Sequence, residues 1–110
     1  TGDIHSNWAC DLKLDWRDEK SPTVGAELVG TSITSGGDGV DAMKGVEDVY
    51  AENPHLKWHS ARRGYVSCVV TPKETRADYR TVPYVAKPGA PVQTARSFVI
   101  EAGRPGLQKA

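Results

Sequence analysis

The chain has 110 residues, enough for one small domain but not for two. Its 14 basic and 14 acidic residues cancel, and because no long basic run occurs, the sequence does not predict a nucleic-acid-binding surface. Apolar runs are far shorter than the roughly 18 residues of a transmembrane helix, so no transmembrane segment is expected.

The start of the chain carries chemically distinctive residues at once, at Asp3 and His5. The first residue is Thr1, and no charged and apolar leader follows it. We therefore expect this chain to be one part of a longer protein, with an N-terminal part upstream of Thr1.

The first strong pattern is an alternation of apolar and polar residues from Trp8 to Trp16, which predicts a half-buried strand. One face of this strand is expected to carry Trp8, Cys10, Leu12, Leu14 and Trp16. A charged loop at Arg17–Pro22 and a second strand at Val24–Ile33 are expected next. The glycine-rich segment Ser35–Gly39 then interrupts the chain.

The only predicted helix is Asp41–Glu52, in which apolar residues recur at spacings of three and four. Asp38 or Asp41 is expected to cap its N-terminus, and Asn53-Pro54 ends it. A helix this short is marginal alone, so it has to pack on the sheet.

Three more strands are predicted in the second half: an apolar, central one at Gly64–Thr71, an alternating one at Thr75–Val82 and a last one at Arg96–Glu101. Lys87–Pro91 is predicted to be a stiff linker. The expected fold is α+β, mostly antiparallel β with about five strands and one helix. We assign residues 1–103 to one domain segment and residues 104–110 to a flexible tail.

Two cysteines, Cys10 and Cys68, are too few for a disulfide framework. Each lies in an apolar, strand-like run. One disulfide between them is possible, but two buried free thiols are the favoured interpretation.

Asp3 and His5 are the sharpest candidates for chemistry, because a carboxylate and an imidazole are both metal ligands. Two positions apart on an extended segment, their side chains point to the same side. Two ligands do not complete a site, since a hard cation takes about six. A capping aspartate beside a surface histidine is the alternative interpretation.

Other candidates are weaker. His55 and His59 have the spacing of a helical metal pair, but they follow Pro54 in a run that looks extended, where residues four apart lie roughly 13 Å from each other. The segment Ser35–Gly39 precedes the predicted helix, as phosphate-binding loops do, but lacks their lysine. Arg63, in the Arg62-Arg63-Gly64 run, has a guanidinium suited to bidentate phosphate contact, although a solvated strand edge is the commoner case.

Several segments together resemble one family, and they occur in the family's order across nearly the whole chain: Gly2–Trp8 with Asp11–Leu12, Leu28–Gly37, Asn53–Lys57, Arg63–Val66, Val70–Pro72 and Arg76–Arg80. They are similar to motifs of the alkaline phosphatase D (PhoD) family. The first is similar to that family's late metal motif. The family's earlier metal motifs, which carry most of its ligands, are absent, so the chain resembles the C-terminal segment of such an enzyme.

The resemblance implies the C-terminal part of a calcineurin-like metallophosphatase sandwich, formed by two packed mixed sheets. It implies hydrolysis of phosphate monoesters and diesters with Ca²⁺ and Fe³⁺ in a periplasmic or secreted full-length enzyme. Because two ligands cannot hold a catalytic metal centre in productive geometry, this segment alone is expected to be inactive. His5 would be a direct metal ligand, and Asp3 would either bind the metal or orient His5. Asn7 and Arg63 are the candidate substrate-binding residues.

Two rival functions are kept. In the first, the chain is a non-catalytic, β-rich binding or structural module in which Asp3 and His5 are incidental. In the second, it belongs to a different metal-dependent esterase on the same fold.

Overall fold

Every strand pairing in the computed structural model, which describes residues 1–110, is antiparallel. The elements are β1 Asn7–Lys13, β2 Thr23–Val29, β3 Gly39–Val40, α1 Val46–Glu52, β4 Leu56–Val70, β5 Glu74–Val82, β6 Gln93–Glu101 and β7 Arg104–Lys109. The strands run in the order β2-β1-β4-β5-β6-β7, with β3 also paired to β4. The prediction of mostly antiparallel β structure with one helix is confirmed.

The 15-residue strand β4 is shared between two parts of the sheet. Its first half pairs with β1 and its second half with β5. Gly64, at the start of the second half, has a φ of 152°, and a Cβ built there would lie 1.9 Å from the carbonyl oxygen of Arg80. Only glycine lets β4 and β5 approach this closely.

Strand β1 is covered on both faces, which corrects the prediction of a single apolar face. Trp8 and Cys10 belong to a core cluster with Val29 and Val46, whereas Ala9 is fully buried on the other side. Leu14 and Trp16 lie beyond the end of β1 and are 71% and 57% exposed. The alternation of apolar and polar residues in the sequence therefore extends past Lys13, the last residue of β1.

The second core cluster contains Ala9, Tyr79 and Phe98, with Leu107 packed against it. Strand β5 has the alternation that the sequence predicted, and its buried residues are Ala77, Tyr79 and Thr81. The hydroxyl of Tyr79 donates a hydrogen bond of 2.6 Å to the carbonyl of Trp8, which ties β5 to β1 across β4.

The prediction of a flexible tail at residues 104–110 is wrong. Arg104–Lys109 forms strand β7, which pairs with β6 and curls back over the first strands. Gly106 is buried there, and a Cβ built on it would lie 3.1 Å from the Thr23 Cγ2 atom. The Leu107 N–H donates a hydrogen bond to Asp11 Oδ1 at 2.8 Å. A proline and a glycine within six residues obscured the strand in the sequence.

The helix is shorter than predicted and starts without a side-chain cap. It spans Val46–Glu52, after Gly45 in the left-handed conformation. Neither expected capping residue is available: Asp38 accepts hydrogen bonds from Val85 N–H and Ala86 N–H, and Asp41 pairs with Arg62 at 2.8 Å. With seven residues, this helix is too short to cross a membrane.

Two other predictions need correction. The segment Gly64–Thr71 was predicted to be a central strand, but it is not covered on both faces, since Tyr65, Val69 and Val70 are exposed. Both cysteines are free, but only Cys10 is buried, while Cys68 is exposed beside the open part of β4. Burial raises the pKa of the Cys10 thiol to about 11.

Replacing Gly64 with alanine should lower the free energy of unfolding by about 3 kcal/mol or more, because the new Cβ would collide with the Arg80 backbone. The control is Gly25→Ala, where a Cβ would meet Leu12 at an ordinary 3.5 Å and no positive φ is required. The control should change stability by about 1 kcal/mol or less in urea unfolding. Equal effects of the two substitutions would contradict the assignment of Gly64 as a required close approach.

Candidate metal-binding loop and its supports

Asp3 and His5 lie in an irregular segment between Thr1 and β1, and both are exposed. Their backbones adopt the left-handed conformation, with φ angles of 74° and 57°. The segment is therefore not extended, and the prediction that both side chains point to one side by strand geometry is wrong. A left-handed φ in two non-glycine residues so close together is uncommon and costs conformational energy.

The backbone of this segment is held by hydrogen bonds on both sides. The Thr1 amino group donates to the Leu28 carbonyl at 3.2 Å, and the Gly30 N–H donates to the Thr1 carbonyl at 3.0 Å. At the other end, Arg63 Nη1 donates to the His5 carbonyl at 2.5 Å. The segment is thus fixed through its main chain, which leaves the carboxylate of Asp3 and the imidazole of His5 facing solvent.

Arg63 is the main support. Its side chain is only 6% exposed, and beyond His5 it donates to Thr31 Oγ1, Ser32 Oγ and the Gly37 carbonyl at 3.3, 3.0 and 2.9 Å. All of these acceptors are neutral, and no carboxylate lies within ion-pair distance of its guanidinium. Arg63 therefore joins the Asp3–His5 segment to the loop that follows β2.

Asn7 is 1% exposed and joins the same parts of the chain. Its Nδ2 donates to the Arg62 carbonyl at 3.1 Å, and its Oδ1 accepts from the Thr31 N–H at 3.2 Å. Both ends of the amide are thus engaged with backbone. Asn7 and Arg63, the candidate substrate-binding residues of the sequence, are thus both buried and hydrogen-bonded to the segments around the loop.

The other histidines and cysteines form no metal-binding group with Asp3 and His5. His55 stacks edge-on against Trp16 with ring centres 4.6 Å apart, whereas His59 is buried against Trp8. Among the described residues, no three His, Cys, Asp or Glu side chains gather as a complete metal site would require. The glycine-rich segment before the helix wraps around Arg63 through the Gly37 carbonyl.

Comparison with known proteins identifies the family. A family model described as PhoD-like phosphatase matches residues 1–79. The chain belongs to the PhoD-like phosphatase family. It is 47% identical, over 109 residues, to alkaline phosphatase D of Bacillus subtilis (strain 168), an alignment that covers 99% of this chain and 19% of that protein.

A solved structure of PhoD gives the same match in three dimensions. It superposes on all of this PhoD-like chain with a TM-score of 0.94 at 46% identity, and the match covers 21% of the solved chain. The chain thus spans about a fifth of the length of these relatives. The identification as a C-terminal segment of a PhoD-family protein is confirmed.

Sequence patterns missed the role of His59 in this PhoD-like segment. Its Nε2 accepts from the Met43 N–H at 3.1 Å, and its Nδ1 lies 3.0 Å from the Asn7 carbonyl. Because the Met43 N–H can only donate, Nε2 is the acceptor and carries no proton. The ring proton is therefore on Nδ1, which donates to the Asn7 carbonyl. Burial lowers the pKa of His59, and the neutral ring links the start of the helix to the loop motif.

Lowering the pH should therefore destabilise the fold through His59. In the unfolded chain His59 has its ordinary pKa of 6.5, whereas the folded chain resists protonation, so the unfolded state binds more protons and stability falls as the pH drops below about 6.5. Urea unfolding at pH 7.5 and pH 5.0 measures this loss. In His59→Gln the pH-dependent loss should shrink, while His55→Gln should keep it. A wild-type loss that survives in His59→Gln would assign the effect to other groups.

Proposed function

We propose that the full-length protein hydrolyses phosphate monoesters and diesters, and that this segment supplies two ligands, Asp3 and His5, to its metal centre. The observation that carries the proposal is a carboxylate and an imidazole left exposed on a hydrogen-bonded backbone, within a PhoD-like motif. A capping aspartate would be bonded to nearby backbone N–H groups, and the Asp3 side chain has no such hydrogen bond here.

The donor set fits the ions that the family resemblance implies. Carboxylate oxygens suit Ca²⁺ and Fe³⁺, and imidazole nitrogen suits iron. Such ions, when bound, supply charge neutralisation for a phosphoryl group and lower the pKa of bound water. A calcium site takes about six or more oxygen ligands, so this segment needs further ligands from outside its 110 residues. The isolated chain is accordingly proposed to be inactive.

Arg63 and Asn7 serve this centre by positioning rather than by contact with substrate. Arg63 fixes the His5 carbonyl, and Asn7 fixes the loop that also bonds to Arg63. Ligands held by such supports keep their orientation before the ion or substrate arrives. The guanidinium also places a positive charge, unpaired with any carboxylate, beneath the segment, which favours an anionic substrate.

The finer fold proposal is that the sheet forms part of a calcineurin-like sandwich with mixed sheets. Thr1 bonds to Leu28 and Gly30, on either side of Val29, which is the spacing of a parallel pair. Every ladder within the chain is antiparallel, so this contact supports a parallel strand beside β2. Family membership also supports the proposal that the full-length protein acts in the periplasm or outside the cell, which cell fractionation would test.

His5→Ala in the full-length protein should reduce hydrolysis of 4-nitrophenyl phosphate by about 100-fold or more, because loss of even an outer partner of a metal ligand costs about 10- to 100-fold. Bound metal, measured by elemental analysis, should fall with it. The matched control is His55→Ala, whose ring packs against Trp16. The isolated chain, with Ca²⁺ and Fe³⁺ supplied, should show no turnover. Unchanged activity and metal content in His5→Ala would disprove the ligand assignment.

Arg63→Lys in the full-length protein should lower kcat/KM by about 10-fold or more, because an ammonium cannot reproduce the planar fork that reaches His5, Ser32 and Gly37. The control is Arg17→Lys, whose side chain is 90% exposed. Steady-state kinetics and metal content are measured for both. If Arg63→Lys keeps wild-type kinetics, the positioning role is wrong.

A further inference from the structure

A groove of about 390 Å³ lies beside the loop that supports His5. Its lining is mostly apolar and includes Ile33, Val92 and two tyrosines, Tyr65 and Tyr84. The charged residues in the lining are Arg80 and Lys87, and no carboxylate is among them. Lys87 Nζ lies 5.2 Å from the centre of the Tyr84 ring, so cation and aromatic face are presented together.

The groove and the metal-binding loop are held by neighbouring residues of β4. Arg62 and Arg63 are consecutive in the strand and therefore point in opposite directions. Arg63 bonds to His5, whereas Arg62 Nη1 donates at 3.0 Å to the carbonyl of Pro83, the residue before Tyr84 of the groove lining. The position of the groove relative to the loop is thus set by one strand.

The glycine-rich segment makes a second connection. The Gly37 carbonyl accepts from Arg63 Nε, and Asp38, the next residue, accepts from Val85 and Ala86 N–H at 2.7 and 2.9 Å. Ser32 accepts a hydrogen bond from Arg63, and Thr34 lies in the groove wall. Because Ser32 and Thr34 are two residues apart, their Cα atoms are separated by at most about 7 Å. The groove therefore opens next to the support of the proposed metal centre.

We infer that this groove binds the second ester group of a phosphodiester substrate, an aromatic or other apolar group attached to the anionic phosphate. The inference rests on the proposed function and adds the place where the second ester group of a diester binds. Tyr65 and Tyr84 offer ring faces to such a group, and Arg80 and Lys87 attract the diester's negative charge.

The test uses the full-length protein and three substrates with the same leaving group: 4-nitrophenyl phosphate, methyl 4-nitrophenyl phosphate and bis(4-nitrophenyl) phosphate. The readout is the ratio of kcat/KM for the aryl diester to that for the methyl diester. Tyr84→Ala removes a ring from the groove and should lower this ratio about tenfold. Val92→Asp places a negative charge at an exposed position of the groove and should raise KM for the aryl diester.

The matched control is Val70→Asp, at an exposed valine outside the groove, which should leave the ratio unchanged. An unchanged ratio in Tyr84→Ala and Val92→Asp, with a lowered thermal midpoint, means that another part of the protein fills the groove and overturns the inference. Wild-type protein that hydrolyses none of the substrates overturns the proposed function and this inference together, whereas turnover with an unchanged ratio overturns only the inference.

Discussion

The guanidinium of Arg63 is the constraint on which the functional part of this structure depends. Burying a cation without a carboxylate partner costs free energy, and the cost is offset only if its N–H groups are hydrogen-bonded. Here four acceptors, from the His5 segment, the Thr31–Ser32 turn and Gly37, surround it. Moving any of these segments would leave a buried charge unsatisfied, so Arg63 fixes their relative positions.

The glycine-rich segment follows from this requirement. A Cβ at Gly36 would lie 3.4 Å from Arg63 Nη2, and its φ is 92°, so glycine is the residue that lets the backbone wrap the guanidinium. The buried polar residues Ser6, Asn7, His59 and Ser60 lie in the same part of the chain. Ser6 accepts from the Trp8 indole at 2.8 Å, and Asn7 and His59 are bonded as described. A hydrogen-bonded interior of this kind specifies one geometry beneath the loop, which an apolar core would define less sharply.

The sequence predicted well where one simple period governed a segment. Strand β5 alternates because one face meets the core and the other meets solvent, and that alternation was enough to predict the strand from the sequence. The start of β4 was missed because His59, Ser60 and Arg63 are buried polar residues, which hide the apolar period on which strand prediction depends. Strand β7 was missed because its pairing with β6 and its contact with Asp11 are long-range. The Asp3–His5 segment was singled out by its motif, but its left-handed backbone has no local sequence signal in Asp3 or His5.

Net neutrality, which at first excluded a strong field, conceals an uneven distribution of charge. Five basic residues are in ion pairs with carboxylates, most of them at exposed positions where such pairs contribute little: Arg17, Lys57, Arg62, Arg76 and Arg104. Nine basic residues have no such partner, and three of them lie at the loop supports or in the adjoining groove: Arg63, Arg80 and Lys87. A buried charge such as that of Arg63 is screened less than an exposed one. Three of the positive charges that no ion pair neutralises are thus gathered near the place where the proposed anionic substrate would bind, a distribution that the total charge of the chain does not reveal.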